Sequence, residues 1–237
     1  MADFRYAQYC PLTRAVEILG ERWTVLLLRE LFLGPKRFSD LKTALNGVST
    51  SVLAERLVRL EERGIVSRRD LPPPAASAVY ELDEAGRALK PVLVELTRWG
   101  ARFLDSPGPS DCLRPEWLLL GLDVFARREA SPDVGARLHV EAGNESIDIY
   151  VRGGAGGTIV SRSPLPFDVS VRGAPLDMLM LVAGHLAPFD ANSGAKLLFE
   201  GDVTRAAQIA SLFDFSPTPA APPASPEFTT TNQGETR

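Results

Sequence analysis

Cysteine and histidine are scarce in this 237-residue chain, and their scarcity removes several kinds of chemistry at once. The two cysteines, Cys10 and Cys112, stand roughly a hundred positions apart, which excludes a disulfide framework and any cysteine-rich zinc module. The two histidines, His139 and His185, have no thiol or carboxylate pair at ligand spacing, so no metal site, no cofactor and no catalytic nucleophile–base pair is expected. An enzyme is therefore the weakest class. No run of about 18 apolar residues is available to span a bilayer. The N-terminal stretch MADFRYAQYCPLTR lacks the apolar core and small-residue cleavage site of a secretory signal. These absences predict a cytoplasmic protein without a membrane partner.

What is present is a globular composition, 45% hydrophobic and 24% charged, enough for one or two cores. The formal net charge of −4 conceals an uneven distribution. Residues 1–105 carry 16 Lys/Arg against 14 Asp/Glu, whereas residues 106–237 carry 10 against 16. Within the first part, Lys36, Arg37, Lys42, Arg56, Arg59, Arg63, Arg68 and Arg69 face only Asp40, Glu55, Glu61 and Glu62. That local positive excess suits an anionic partner.

Two composition breaks divide the chain. Pro, Gly, Ser and Asp gather in DSPGPSDCLRP, and a Pro-, Ala-, Ser- and Thr-rich tail begins near Ser216. The expected organisation is a domain over 1–105, a linker over 106–115, a second domain over 116–215 and a disordered tail over 216–237. In the first domain, Ala15, Ile18, Leu19, Val25, Leu26 and Leu28 keep helical spacing around Trp23, with Gly20 as a break or a tight point. A second helix follows Gly34 and Pro35 with Ser39 as N-cap, and ends at Asn46 and Gly47. A third starts at Ser49–Ser51, buries Val52, Leu53, Leu57 and Leu60, and stops at Gly64. Ile65–Arg69 and Ala78–Leu82 read as a hairpin, and Asp83 caps a final helix in which Pro91 marks a kink or a late start. In the second domain, Arg114–Trp117 opens a helix, strands alternate at 138–140, 147–151, 167–171 and 196–202, and helices cover 176–186 and 203–213.

Helix, tight turn, helix and hairpin form the winged-helix order. The run YCP at 9–11, the stretch from Glu17 to Arg69 containing GERWTVLLLREL and GPKRFSDLKTALNGVSTSVLAERLVRLEERGIV, and VYELDEAGRAL at 79–89 resemble the HxlR-type branch of bacterial winged-helix transcription regulators. The ending AKLLFEGDVTRAAQIASLF resembles the close of sterol-carrier-protein-type domains. The fold class that follows is a mainly α winged helix-turn-helix domain followed by an α+β sterol-carrier-like domain. The first resemblance implies a homodimer that binds near-palindromic double-stranded DNA and regulates transcription. The second implies a small apolar ligand that controls it. An apolar-ligand carrier whose helical part docks a partner is the alternative.

On this basis Ser49, Thr50, Ser51 and Arg56 are expected to reach bases or nearby phosphates, and Lys36, Arg37, Arg59, Arg68 and Arg69 to meet mostly phosphates. A solvated helix face with Glu55 and Arg59 paired is the plainer explanation of the same residues. Cys10 falls where several members of the resembled family hold an oxidant- or electrophile-sensing thiol, while a lone cysteine is more often inert. Trp117, Phe125, Met178, Leu181 and Phe189 would line a ligand pocket or simply fill a core. The glycines at 153, 154, 156 and 157 read as a hairpin turn, because no lysine or helix start follows them as a phosphate loop requires.

Overall fold

Apolar spacing alone would carry one helix from Ala15 through Leu28, yet the chain forms two. In the computed structural model, which describes residues 5–72, 77–104, 107–108, 111–186 and 196–215, α1 spans Pro11–Leu19 and α2 spans Thr24–Phe32. The Gly20 N–H closes α1 on the Val16 carbonyl at 2.7 Å, and Trp23 takes a φ of 78° before α2 starts. That backbone is costly for a bulky residue. Tertiary packing holds it, since the Trp23 ring lies against Gly47 in the next turn, where a Cβ would come within 3.6 Å of the indole. Gly47 itself has a φ of 92°, so the turn depends on glycine twice over.

α3 covers Phe38–Ala44 and α4 covers Thr50–Glu62. Arg37 rather than Ser39 occupies the N-cap of α3, because Asp40 reaches back to accept the Arg37 backbone N–H at 3.1 Å. Ser49 caps α4 with its Oγ accepting the Val52 N–H at 3.2 Å. Leu53, Leu57 and Leu60 bury their side chains against Leu27, Leu28 and Leu41, forming the first core. β1 (Val66–Asp70) and β2 (Ala78–Leu82) pair antiparallel, and Lys36 exchanges two backbone hydrogen bonds with Tyr80, at 3.0 and 2.8 Å. Pro91 produces the late start: α5 is only Glu84–Arg87, and α6 runs Lys90–Ala101 with the proline in its first turn, where a missing N–H is harmless.

The second core lies beneath a five-stranded sheet. α7 (Pro115–Phe125) leads into β3 (Gly135–Ala142), β4 (Glu145–Arg152), β5 (Ile159–Ser161) and β6 (Val169–Gly173). α8 (Pro175–Val182), β7 (Leu198–Gly201) and a closing 3-10 helix, Val203–Leu212, follow. The strand order is β5-β4-β3-β6-β7, antiparallel except for the central β3–β6 pair. Alternation sends Leu138, Val140, Ile149, Val151 and Val171 inward onto α7, α8 and the 3-10 helix. The last element is 3-10 rather than α, and β5 carries too few residues to show a period in sequence. The glycine-rich segment is a packed turn: a Cβ on Gly153 would meet the Pro132 carbonyl oxygen at 2.1 Å. The expected disordered tail lies outside the described residues.

Candidate nucleic-acid interface

Thirteen residues give α4 a length of about 20 Å, and an α-helix, about 10–12 Å across with its side chains, fits the DNA major groove. Its capped start presents Ser49, Thr50 and Ser51 to solvent, and the same exposed strip continues through Ala54, Val58 and Glu62. Arg37 at the start of α3 and Arg68 on β1 are exposed on either side of this strip in sequence. Arg69 forms a two-point pair with Glu81 across the hairpin, at 2.9 and 3.1 Å, which holds the Glu81 carboxyl below its ordinary range.

The remaining predicted cations are turned elsewhere. At 100° per residue, Arg56 lies within about 70° of the centre of the Leu53–Leu57–Leu60 stripe, on the flank of α4 and not opposite it. Its side chain is only 17% exposed and pairs with Glu21 in the α1–α2 turn. Arg59 reaches the same carboxylate at 2.5 Å and Glu55 at 2.7 Å. Glu21 was not among the expected site residues; two arginines three positions apart on one helix are the signal that an acid should lie opposite.

Lys36 faces the second half of the chain. Its Nζ sits 2.6 Å from Glu116 and 3.9 Å from Glu30. Glu30 on α2 is fully buried, and its Oε1 accepts from the Trp117 indole at 2.8 Å and from Arg29 at 2.7 and 3.0 Å. The Arg29 guanidinium also lies 4.0 Å over the Trp117 ring. Farther along α7, Asp123 pairs with Lys90 at 2.9 Å, and the Val124 carbonyl accepts from Arg98 at 2.8 Å. Burial raises the Glu116 pKa, but the Lys36 hydrogen bond and charge outweigh it, and the carboxyl ends below its ordinary value.

Of the expected pocket residues, Trp117 thus belongs to this junction, Phe125 stacks on Phe215 at 4.6 Å, and Phe189 lies outside the described residues. Met178 and Leu181 are buried in the second core among Leu122, Leu138, Ile149 and Ile209. Cys10 is exposed at the N-cap of α1, where the backbone N–H groups of Thr13 and Leu12 and the Thr13 side chain lower the thiol pKa. Among the described residues, no cluster of His, Cys, Asp and Glu could hold a metal ion, and no helix is long and apolar enough to cross a membrane.

Residues 18–107 match the HxlR-like helix-turn-helix family, and residues 125–214 match the SCP-2 sterol transfer family. The uncharacterized HTH-type transcriptional regulator YvaP of Bacillus subtilis (strain 168) is 38% identical over 100 residues, 42% of this chain and 93% of the relative. The HTH-type transcriptional regulator YodB of the same organism is 38% identical over 104 residues, 44% of this chain and 92% of its own. The structure of reduced YodB shares 36% identity, covers 43% of this chain and 100% of that one, and gives a TM-score of 0.37. With that identity running almost the full length of such relatives, the chain belongs to the HxlR-like helix-turn-helix family, and it joins to that unit a C-terminal domain of the SCP-2 sterol transfer type.

Proposed function

We propose that the chain is a transcription regulator that binds double-stranded DNA as a homodimer, setting the first turn of α4 into the major groove of each operator half-site. The observation that carries this reading is the exposed hydroxyl turn Ser49–Thr50–Ser51, with exposed Arg37 and Arg68 on neighbouring elements. Hydroxyls of that size reach base edges, and the arginines and Arg69 meet phosphates, which position the protein without reading sequence. Lys36, Arg56 and Arg59 act by fixing α4 and the junction, since each is paired with a carboxylate and largely buried, whereas Arg69, though paired with Glu81, keeps its side chain half exposed.

The second copy is supported by apolar faces that have no cover among the described residues. Leu12 and Val16 on α1 and Val92, Leu96, Trp99 and Phe103 on or after α6 are exposed, Trp99 at 59% and Phe103 at 65%. Apolar faces of this kind mark association surfaces. A two-fold dimer then imposes near-palindromic half-sites about one helical turn apart. Cys10, exposed and acidified at the start of α1, would let thiol chemistry alter that dimer. The C-terminal domain would add an apolar ligand as input, acting only as far as it binds the two DNA-affinity states differently.

The test is selection of duplexes from a random pool by the full chain, followed by titration of the enriched site at several salt concentrations. A palindromic consensus and steep salt dependence are expected. Binding that never exceeds the random pool would sink the proposal and favour the apolar-ligand carrier.

A further inference from the structure

We propose that Ala54 and Val58 read thymine, their methyl groups packing on the C5 methyls that thymine alone projects into the major groove. This rests on the DNA-binding reading above and assigns the specificity of that same surface.

The outward strip of α4 is unusual in what it omits. Its exposed members between the first and the last turn are Ala54 and Val58, with Val58 half exposed, and the strip ends at Glu62 in the last turn. A β-branched aliphatic on the solvent face of a helix adds nothing to the core and lowers helix propensity slightly. The long cations that could have covered the strip are held on the flank, Arg56 by Glu21 and Arg59 by Glu21 and Glu55. The strip therefore meets a groove floor with methyl groups and, at its start, with the Thr50 and Ser51 hydroxyls. Thymine is the base whose groove edge offers an apolar partner. Guanine and cytosine offer acceptors and an amino donor, which an alkyl group would strip of water without replacing the hydrogen bond. Preference for thymine thus comes from attraction and from exclusion together. The two residues stand one turn apart, about 6 Å along the helix, so their contacts fall roughly two base steps apart.

Deoxyuridine removes the thymine methyl and changes no hydrogen-bonding group, so it tests the contact directly. Duplexes selected by the full wild-type chain are expected to carry thymines in each half-site, and replacing the contacted ones with deoxyuridine should weaken binding about three- to fivefold per position. The Val58→Ala variant, which keeps a good helix former, should lose that sensitivity at one position, and Ala54→Ser at the other. If wild-type affinity for the selected site is unchanged by deoxyuridine, or if both variants keep the full sensitivity, the inference is overturned and DNA binding stands. If no sequence is enriched, both readings fall.

Discussion

Glu30 shows how much a single side chain decides in this molecule. A fully buried carboxylate is tolerated only while its hydrogen bonds are kept, and one of its donors, the Trp117 indole, comes from the other half of the chain. Trp117→Phe preserves the ring over Arg29 but removes that donor. It is expected to cost about 1–3 kcal/mol in chemical denaturation of the whole protein. A loss near zero would mean that the bond is not formed. Arg56 is the second test at this scale. As a brace for Glu21 it should, when changed to alanine, weaken specific and random DNA equally and lower thermal stability; loss confined to the specific site would make it a base reader instead. Cys10→Ser should bind DNA like wild type in reducing buffer and lose any response to diamide. Retention of a diamide response in that variant would place the reactive group elsewhere.

The helices and strands differ in how openly the sequence announced them. α3, the tight turn and α4 were legible because glycine, a buried stripe and the Ser49 cap agree there, although the cap of α3 falls on Arg37 and not on Ser39, and the hairpin after Gly64 alternates plainly. The interruption between α1 and α2 was only half visible. Gly20 hints at it, but the left-handed Trp23 depends on the ring meeting Gly47, a contact 24 positions away that no local pattern encodes. The site shows the same division. Exposed hydroxyls at the α4 start follow from Ser49 as N-cap, whereas the pairing of Arg56 and Arg59 with Glu21 needed the packed arrangement to be seen. α6 supplies the prediction proper to this scale. Its Trp99 and Phe103 rings, 4.8 Å apart, are exposed among the described residues. Trp99→Asp should leave the monomer folded and yield one-chain mass by light scattering, with a large loss of operator affinity; an unchanged dimer mass would move the interface off α6.

At the scale of the whole molecule, the two cores meet through a belt of charge. Lys36 and Glu116 bind that belt, and the lowered Glu116 pKa fixes the sign of its acid response. A carboxyl more acidic in the folded than in the unfolded chain contributes stability fully above the unfolded value of about 4.3 and loses it as pH falls through the folded value. Thermal stability of Lys36→Met should therefore approach that of wild type as the buffer is taken from pH 6 down toward pH 3, and a constant gap would exclude the pair as its cause. The C-terminal core is likewise testable. Met178 is fully buried among leucines, isoleucine and valine, so Met178→Ala should cost about 2–5 kcal/mol. A near-neutral result would reveal a site loose enough to admit a guest molecule.

The parting of Glu30 from its indole partner by 87 positions also bears on the order in which the chain is made. Ribosomal synthesis delivers the N-terminal half first, and domains generally fold as units as they emerge. The newborn DNA-binding half must then fold with its buried acid lacking one donor, and it reaches full firmness only when α7 has left the exit tunnel. A chain halted before residue 117 lacks that donor altogether, and limited proteolysis of such a fragment beside the full chain is expected to cut the fragment faster.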